Sequence, residues 1–144
     1  MLHAAYKAGV AFSKSYVGYI HAVAHSLGGR YGTPHGLANA VIMPYVLEAY
    51  GESASKKLHE LGIATGVCDG NELPHAGARK FIDAIKALNE KIGIPAKLAG
   101  IRREDIPSMA EHAAKEANPL YPVPRLMTKN ELAEFYMQCA DWSN

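Results

Sequence analysis

The sequence predicts an all-α helical bundle, on three observations. Apolar residues recur at helical spacing along most of the chain. Proline, glycine and Asx/Ser/Thr punctuation divides that pattern into segments of helical length. No stretch alternates apolar and polar residues as a half-buried strand would. At 144 residues, with 49% apolar and 20% charged, the chain is one domain able to bury a core.

The elements follow in order. Residues 2–14 are Ala-rich and form a first helix ending near Ser13. Ser15 caps a second helix through "YVGYIHAVAHSL", which Gly28-Gly29 ends, and "GRYG" is a turn. Thr33 and Pro34 are the N-cap and first residue of a third helix, "HGLANAVIMPYVLEAY", which Pro44 kinks. Residues 53–61 are a short fourth helix with Leu58 and Leu61 inward and Gly62 after it. A loop, "GVCDGNELP", leads to an amphipathic helix over 75–92 with Phe81, Ile85, Leu88 and Ile92 on one stripe. A helix over Ile106 to Ala117 stops at Asn118-Pro119, and "PLYPVPR" is extended. Thr128 and Glu131 have capping-box spacing for a last helix carrying Leu132, Phe135, Tyr136 and Cys139 inward.

Composition removes several function classes. Fifteen basic and fourteen acidic residues leave a net charge of +1, with the basic residues scattered. Neither nucleic acid nor an anionic membrane is an expected partner. The longest uncharged run, Tyr31 to Leu47, is too short to span a bilayer, and the first residues lack a signal-peptide pattern, so the expected location is cytoplasmic. Cys68 and Cys139 form no paired motif and read as free thiols, with a single disulfide as the alternative. No glycine-rich nucleotide-phosphate motif is present.

The chemistry-bearing stretch is "HAVAHSLGGRYGTPHG", His21 to Gly36. His21 and His25 are four apart and share one helix face. His35 begins the next helix across a tight connection, so all three can return to one space. The second and third helices are apolar nearly all round, which places this space centrally, in a dry pocket where three imidazoles could hold a divalent metal. The competing reading is core histidines bonded to backbone. It is favoured for any one of them and disfavoured for three together. His3, His59, His75 and His112 stand alone and read as surface or packing residues. No Asp or Glu occurs between Met1 and Leu47, so no carboxylate is at hand nearby in sequence.

Gly18, His21, Ala24, His25, Gly28, Pro34, His35, Gly36 and Pro44 together resemble the signature of the iron-dependent (group III) alcohol dehydrogenases. "AGVAF", "LNEKIGIP" and "NPLYPVPR" resemble the C-terminal half of the same family. The resemblance implies that residues 1–144 are a metal- and substrate-binding helical domain, of the fold shared with dehydroquinate synthase. It implies His21 and His35 as metal ligands, and His25 as a cleft residue beside nicotinamide and substrate that relays a proton. It implies Phe12 on the substrate-pocket wall. Implied too are Fe2+, or Zn2+ or another divalent metal, NAD or NADP, and a small alcohol or aldehyde substrate. The family's remaining ligands, an aspartate and a histidine in a D-x-x-x-H pattern, and its N-terminal nucleotide-binding domain have no counterpart in these residues. The chain by itself is therefore expected to be inactive, to bind metal weakly, and to self-associate as a homo-oligomer. The alternatives are a zinc-dependent glycerol dehydrogenase or dehydroquinate synthase-like enzyme on the same scaffold, and a non-catalytic helical interaction domain.

Overall fold

A computed structural model describes residues 1–143. Among the described residues there are seven α-helices: α1 (Leu2–Ser15), α2 (Tyr19–Tyr31), α3 (His35–Tyr50), α4 (Glu52–Ala64), α5 (Pro74–Lys91), α6 (Ile106–Ala117) and α7 (Lys129–Cys139), with a 3-10 turn at Arg103–Asp105 before α6. The all-α expectation holds. One isolated bridge, Leu98 with Ala140, is the sole β-type pairing among these residues, made by Leu98 N–H to the Cys139 carbonyl (2.7 Å) and Asp141 N–H to the Leu98 carbonyl (2.9 Å).

Helix α2 is the central element and packs on α3, α6 and α7, while α4 and α5 form a hairpin joined to the rest through α3. Tyr19, Ala22, Val23 and Leu27 are fully buried along α2. They meet Ala38 and Ile42 of α3, Met109 and Ala113 of α6, and Leu132 and Tyr136 of α7 in one continuous core. Buried tyrosines need partners for their hydroxyls. Tyr136 donates to the carbonyls of Val23 and Met109 (3.4 and 3.3 Å). Tyr19 donates to Asn118 Oδ1 and accepts from Met127 N–H (2.9 Å), which pins the segment after α6 to the start of α2. That segment contains a cis Asn118-Pro119 bond.

Several boundaries differ from the sequence expectation. Ser15 ends α1 and does not cap α2, whose N-cap is Gly18. Gly28 and Gly29 stay helical and "GRYG" is no separate turn. The helix stops only at Gly32, where φ is 66° and the Gly32 N–H reaches the Gly28 carbonyl (2.9 Å). Burial of Leu27 and Tyr31 against the core outweighs the weak helix propensity of two glycines. Pro34, not Thr33, is the α3 N-cap, so His35 is its first helical residue, and α3 continues through Pro44.

Helix α4 runs past Gly62, and Leu58 is buried while Leu61 is 49% exposed. The α5 stripe is also rotated. Gly77, Ala78 and Ile82 are buried, Phe81 and Ile85 are half-buried, and Leu88 and Ile92 are exposed. The line facing α3 continues through Lys86, paired with Glu48, and Asn89, which donates to the Ala40 carbonyl (2.8 Å). This line lies one position, about 100°, from the apolar one. The second half of α5 thus meets α3 through polar contacts, with Leu88 and Ile92 turned outward. At its first half the hairpin is close: a Cβ on Gly77 would lie 2.1 Å from His59 Cδ2.

The last two helices match their expectations. Thr128 Oγ1 accepts from Glu131 N–H while the Glu131 carboxylate accepts from Thr128 N–H, a complete capping box, and Leu132, Phe135, Tyr136 and Cys139 are buried. Cys68 and Cys139 are both free thiols. Among the described residues, no helix is long and apolar enough to cross a membrane.

Candidate functional site

The connection Gly32–Pro34 folds the start of α3 back beside α2, and this brings the three histidines together. Ring centres are 5.4 Å apart for His21 and His35, 5.3 Å for His25 and His35, and 5.9 Å for His21 and His25. The convergence expected from spacing is present. Its surroundings are not those expected. His21 is half-buried, but His25 and His35 are exposed. The apolar faces of α2 and α3 are turned into the bundle, and the histidines occupy the remaining outer face. They therefore line an open surface and not a dry central pocket.

Burial still depresses the pKa of His21, with the neighbouring His35 and His25 adding to the effect. A neutral imidazole carries the lone pair that a metal needs. Two imidazoles each about 2.1 Å from one metal place their ring centres roughly 5 Å apart, a separation that both His21–His35 and His25–His35 fit. Among the described residues, no three His, Cys, Asp or Glu side chains are arranged to close on one ion. The three-imidazole site read from spacing alone is not formed. The Asn39 amide also competes for His35. Its Nδ2 donates to His35 Nε2 (3.0 Å) and to the His35 carbonyl (2.9 Å), leaving Asn39 Oδ1 buried without a partner. A metal on His35 Nε2 would have to take that lone pair from Asn39.

A carboxylate does reach the histidines, from a distant part of the chain. Glu116 on α6 places Oε1 2.7 Å from His25 Nδ1. The same oxygen accepts from the Tyr121 hydroxyl at 2.7 Å. Burial and this carboxylate push the Tyr121 phenol up to about 12, so it is a donor at neutral pH. His25 and Glu116 also line a cavity of about 350 Å³ between α2 and α6, with Ser26, Arg30, Ser108 and His112. His112, expected to stand alone, thus shares a wall with the site. His59 is a packing histidine, buried and bonded through Nε2 to the Asp69 carbonyl (2.9 Å). A larger cavity of about 810 Å³ lies between α3 and α5, and none of the three histidines lines it, so volume does not mark the chemistry here.

Phe12 is not brought to this group. It is 54% exposed on α1, a helix with no buried residue, and it does not line the cavity beside His25. Glu116 was missed by sequence reasoning because 91 positions separate it from His25; only the packing of α6 on α2 joins them.

Comparison with known proteins bears on the whole arrangement. Residues 1–140 match the Fe-containing alcohol dehydrogenase family, C-terminal part. The chain is 37% identical over 140 residues to 1,3-propanediol dehydrogenase of Citrobacter freundii, covering 96% of this chain and 36% of that protein. It is 40% identical over 121 residues to alcohol dehydrogenase 4 of Saccharomyces cerevisiae, covering 81% of this chain and 30% of that protein. The structure superimposes on an alcohol dehydrogenase from Oenococcus oeni with a TM-score of 0.82 at 34% identity, covering 92% of this chain and 35% of that one. The chain spans about a third of the length of these relatives. With sequence, helical architecture and chain coverage in agreement, this chain belongs to the Fe-containing alcohol dehydrogenase family, as its C-terminal part.

Proposed function

We propose that the chain is the metal- and substrate-binding helical part of an NAD(P)-dependent alcohol dehydrogenase that interconverts a small alcohol and its aldehyde. The observation that carries this reading is the convergence of three imidazoles from α2 and α3, with His21 and His35 assigned as the ligand pair by their places in the family signature. Those two residues would hold a divalent metal, Fe2+ by family or Zn2+. When bound, the metal supplies Lewis-acid polarisation of the substrate oxygen, and a nicotinamide supplies or accepts hydride. The chain's own residues do the remaining work. The half-buried flank of α2 presents His21 in its neutral form. The short Gly32–Pro34 link fixes His35 opposite it. His25, exposed and beside both rings, serves the cleft as a residue beside substrate and nicotinamide. Phe12 keeps the substrate-wall role only if α1 is covered by further protein.

The open histidine face and the length of the relatives make the activity a property of a larger assembly that includes a nucleotide-binding part. The chain alone should oxidise no NADH with butanal. A fusion to the N-terminal two-thirds of a relative should do so, and His21→Ala should abolish it. Turnover by the chain alone, or turnover by the fusion that survives His21→Ala, would contradict the proposal.

A further inference from the structure

The contact between α2 and α6 carries more than packing. Glu116 Oε1 lies 2.7 Å from His25 Nδ1 and 2.7 Å from the Tyr121 hydroxyl. An ionised carboxylate has no proton to give, and the Tyr121 O–H is already directed at it. The hydrogen of the His25 contact must therefore sit on Nδ1. In the neutral ring this leaves Nε2 without a proton. The arrangement is held from three sides. The Tyr121 N–H is bound to the Ala117 carbonyl (2.8 Å), Glu116 sits in the last turn of α6, and His25 is anchored on the most deeply buried helix.

We propose that Glu116, braced by Tyr121, is a positioning residue that holds His25 as its Nδ1–H tautomer, so that Nε2 offers a bare lone pair to a hydroxyl-bearing ligand on the histidine face. This rests on the reading of His25 as the cleft residue. A group that must accept a hydrogen bond from an alcohol hydroxyl needs one defined nitrogen, and a free imidazole supplies two interchangeable ones. Glu116 removes that ambiguity before any ligand arrives. His112 and Ser108 flank the same carboxylate across the 350 Å³ cavity but make no hydrogen bond to His25, so they cannot substitute for it.

The test is the tautomer itself, read from 15N–1H correlations of the imidazole rings in the whole chain at about pH 8, where an ordinary imidazole is neutral. The wild type should show His25 as a single Nδ1–H form. Glu116→Gln, whose amide carbonyl still accepts, should keep it. Glu116→Ala should convert it to a mixture in which Nε2–H is the major form, with helical content by circular dichroism unchanged. A purely structural role for Glu116 would lower thermal stability in both variants and leave the His25 tautomer as it was, which overturns the proposal. So would an Nε2–H form in the wild type, which decides the matter even if the alanine variant fails to fold. The metal reading fails separately: Zn2+ would then leave the His21 and His35 resonances unmoved while His25 behaved as stated.

Discussion

His21, His25 and His35 share one face, yet each has different neighbours. His25 has a carboxylate on Nδ1, His35 has an asparagine amide on Nε2, and His21 has neither, only partial burial and two neighbouring rings. Spacing made the convergence legible, because i, i+4 and a tight connection dictate it. Spacing did not reveal which ring does what, since Glu116 comes from α6 and Asn39 points back one turn along α3. The absence of acidic residues before Glu48 is true of the sequence, but it does not carry over to space. One prediction belongs here. Asn39→Ala removes the competitor for His35 Nε2 and should tighten metal binding, measured by calorimetric titration with Zn2+; weaker binding would assign Asn39 a supporting role.

Among the elements, boundaries followed backbone chemistry where it was specific and failed where packing decided. The α7 capping box was readable because both of its hydrogen bonds are local. Thr128→Ala should cost about 1 kcal/mol, seen as a lower midpoint in urea with an unchanged slope. The rotation of α5 was not readable, because its orienting contacts run from Lys86 and Asn89 to α3. Nor was the tight seam between α4 and α5. Gly77→Ala sets a methyl against the His59 ring and should cost about 1–3 kcal/mol by the same unfolding measurement. A Gly77→Ala variant as stable as the parent would show that the seam has slack.

Taken whole, the molecule has a firm centre and an uncovered first helix. The fold class was legible in full, since helical periodicity is a property of neighbours in sequence. How the helices face outward was not, because it depends on what else covers them. Helix α1 exposes Leu2, Tyr6, Val10 and Phe12 and buries nothing. Self-association through this helix is the expected consequence, and Tyr6→Glu with Val10→Glu should reduce it in sedimentation velocity. Acid should act elsewhere. Arg30 first, then Tyr31 and Arg102, hold the Asp105 carboxyl well below the usual carboxylate range, and the Thr128 cap and Arg125 lower Glu131 to about 2. Both are depressed in the folded state. Their stabilisation is therefore complete above the unfolded value near 4 and lost as pH falls through 2 and below. The thermal midpoint should drop steeply over that window, and Asp105→Asn should flatten the drop.

The central proposal is a half-site made by His21 and His35, with His25 beside it but outside the ligand set. Titrating Zn2+ or Fe2+ into the chain and into its three single alanine variants tests this most directly. Weak binding is expected for the parent and near-parental binding for His25→Ala. His21→Ala and His35→Ala should each lose at least the roughly 10–100-fold that removal of an outer-shell partner causes. Equal losses in all three variants, or no binding by the parent, would contradict it.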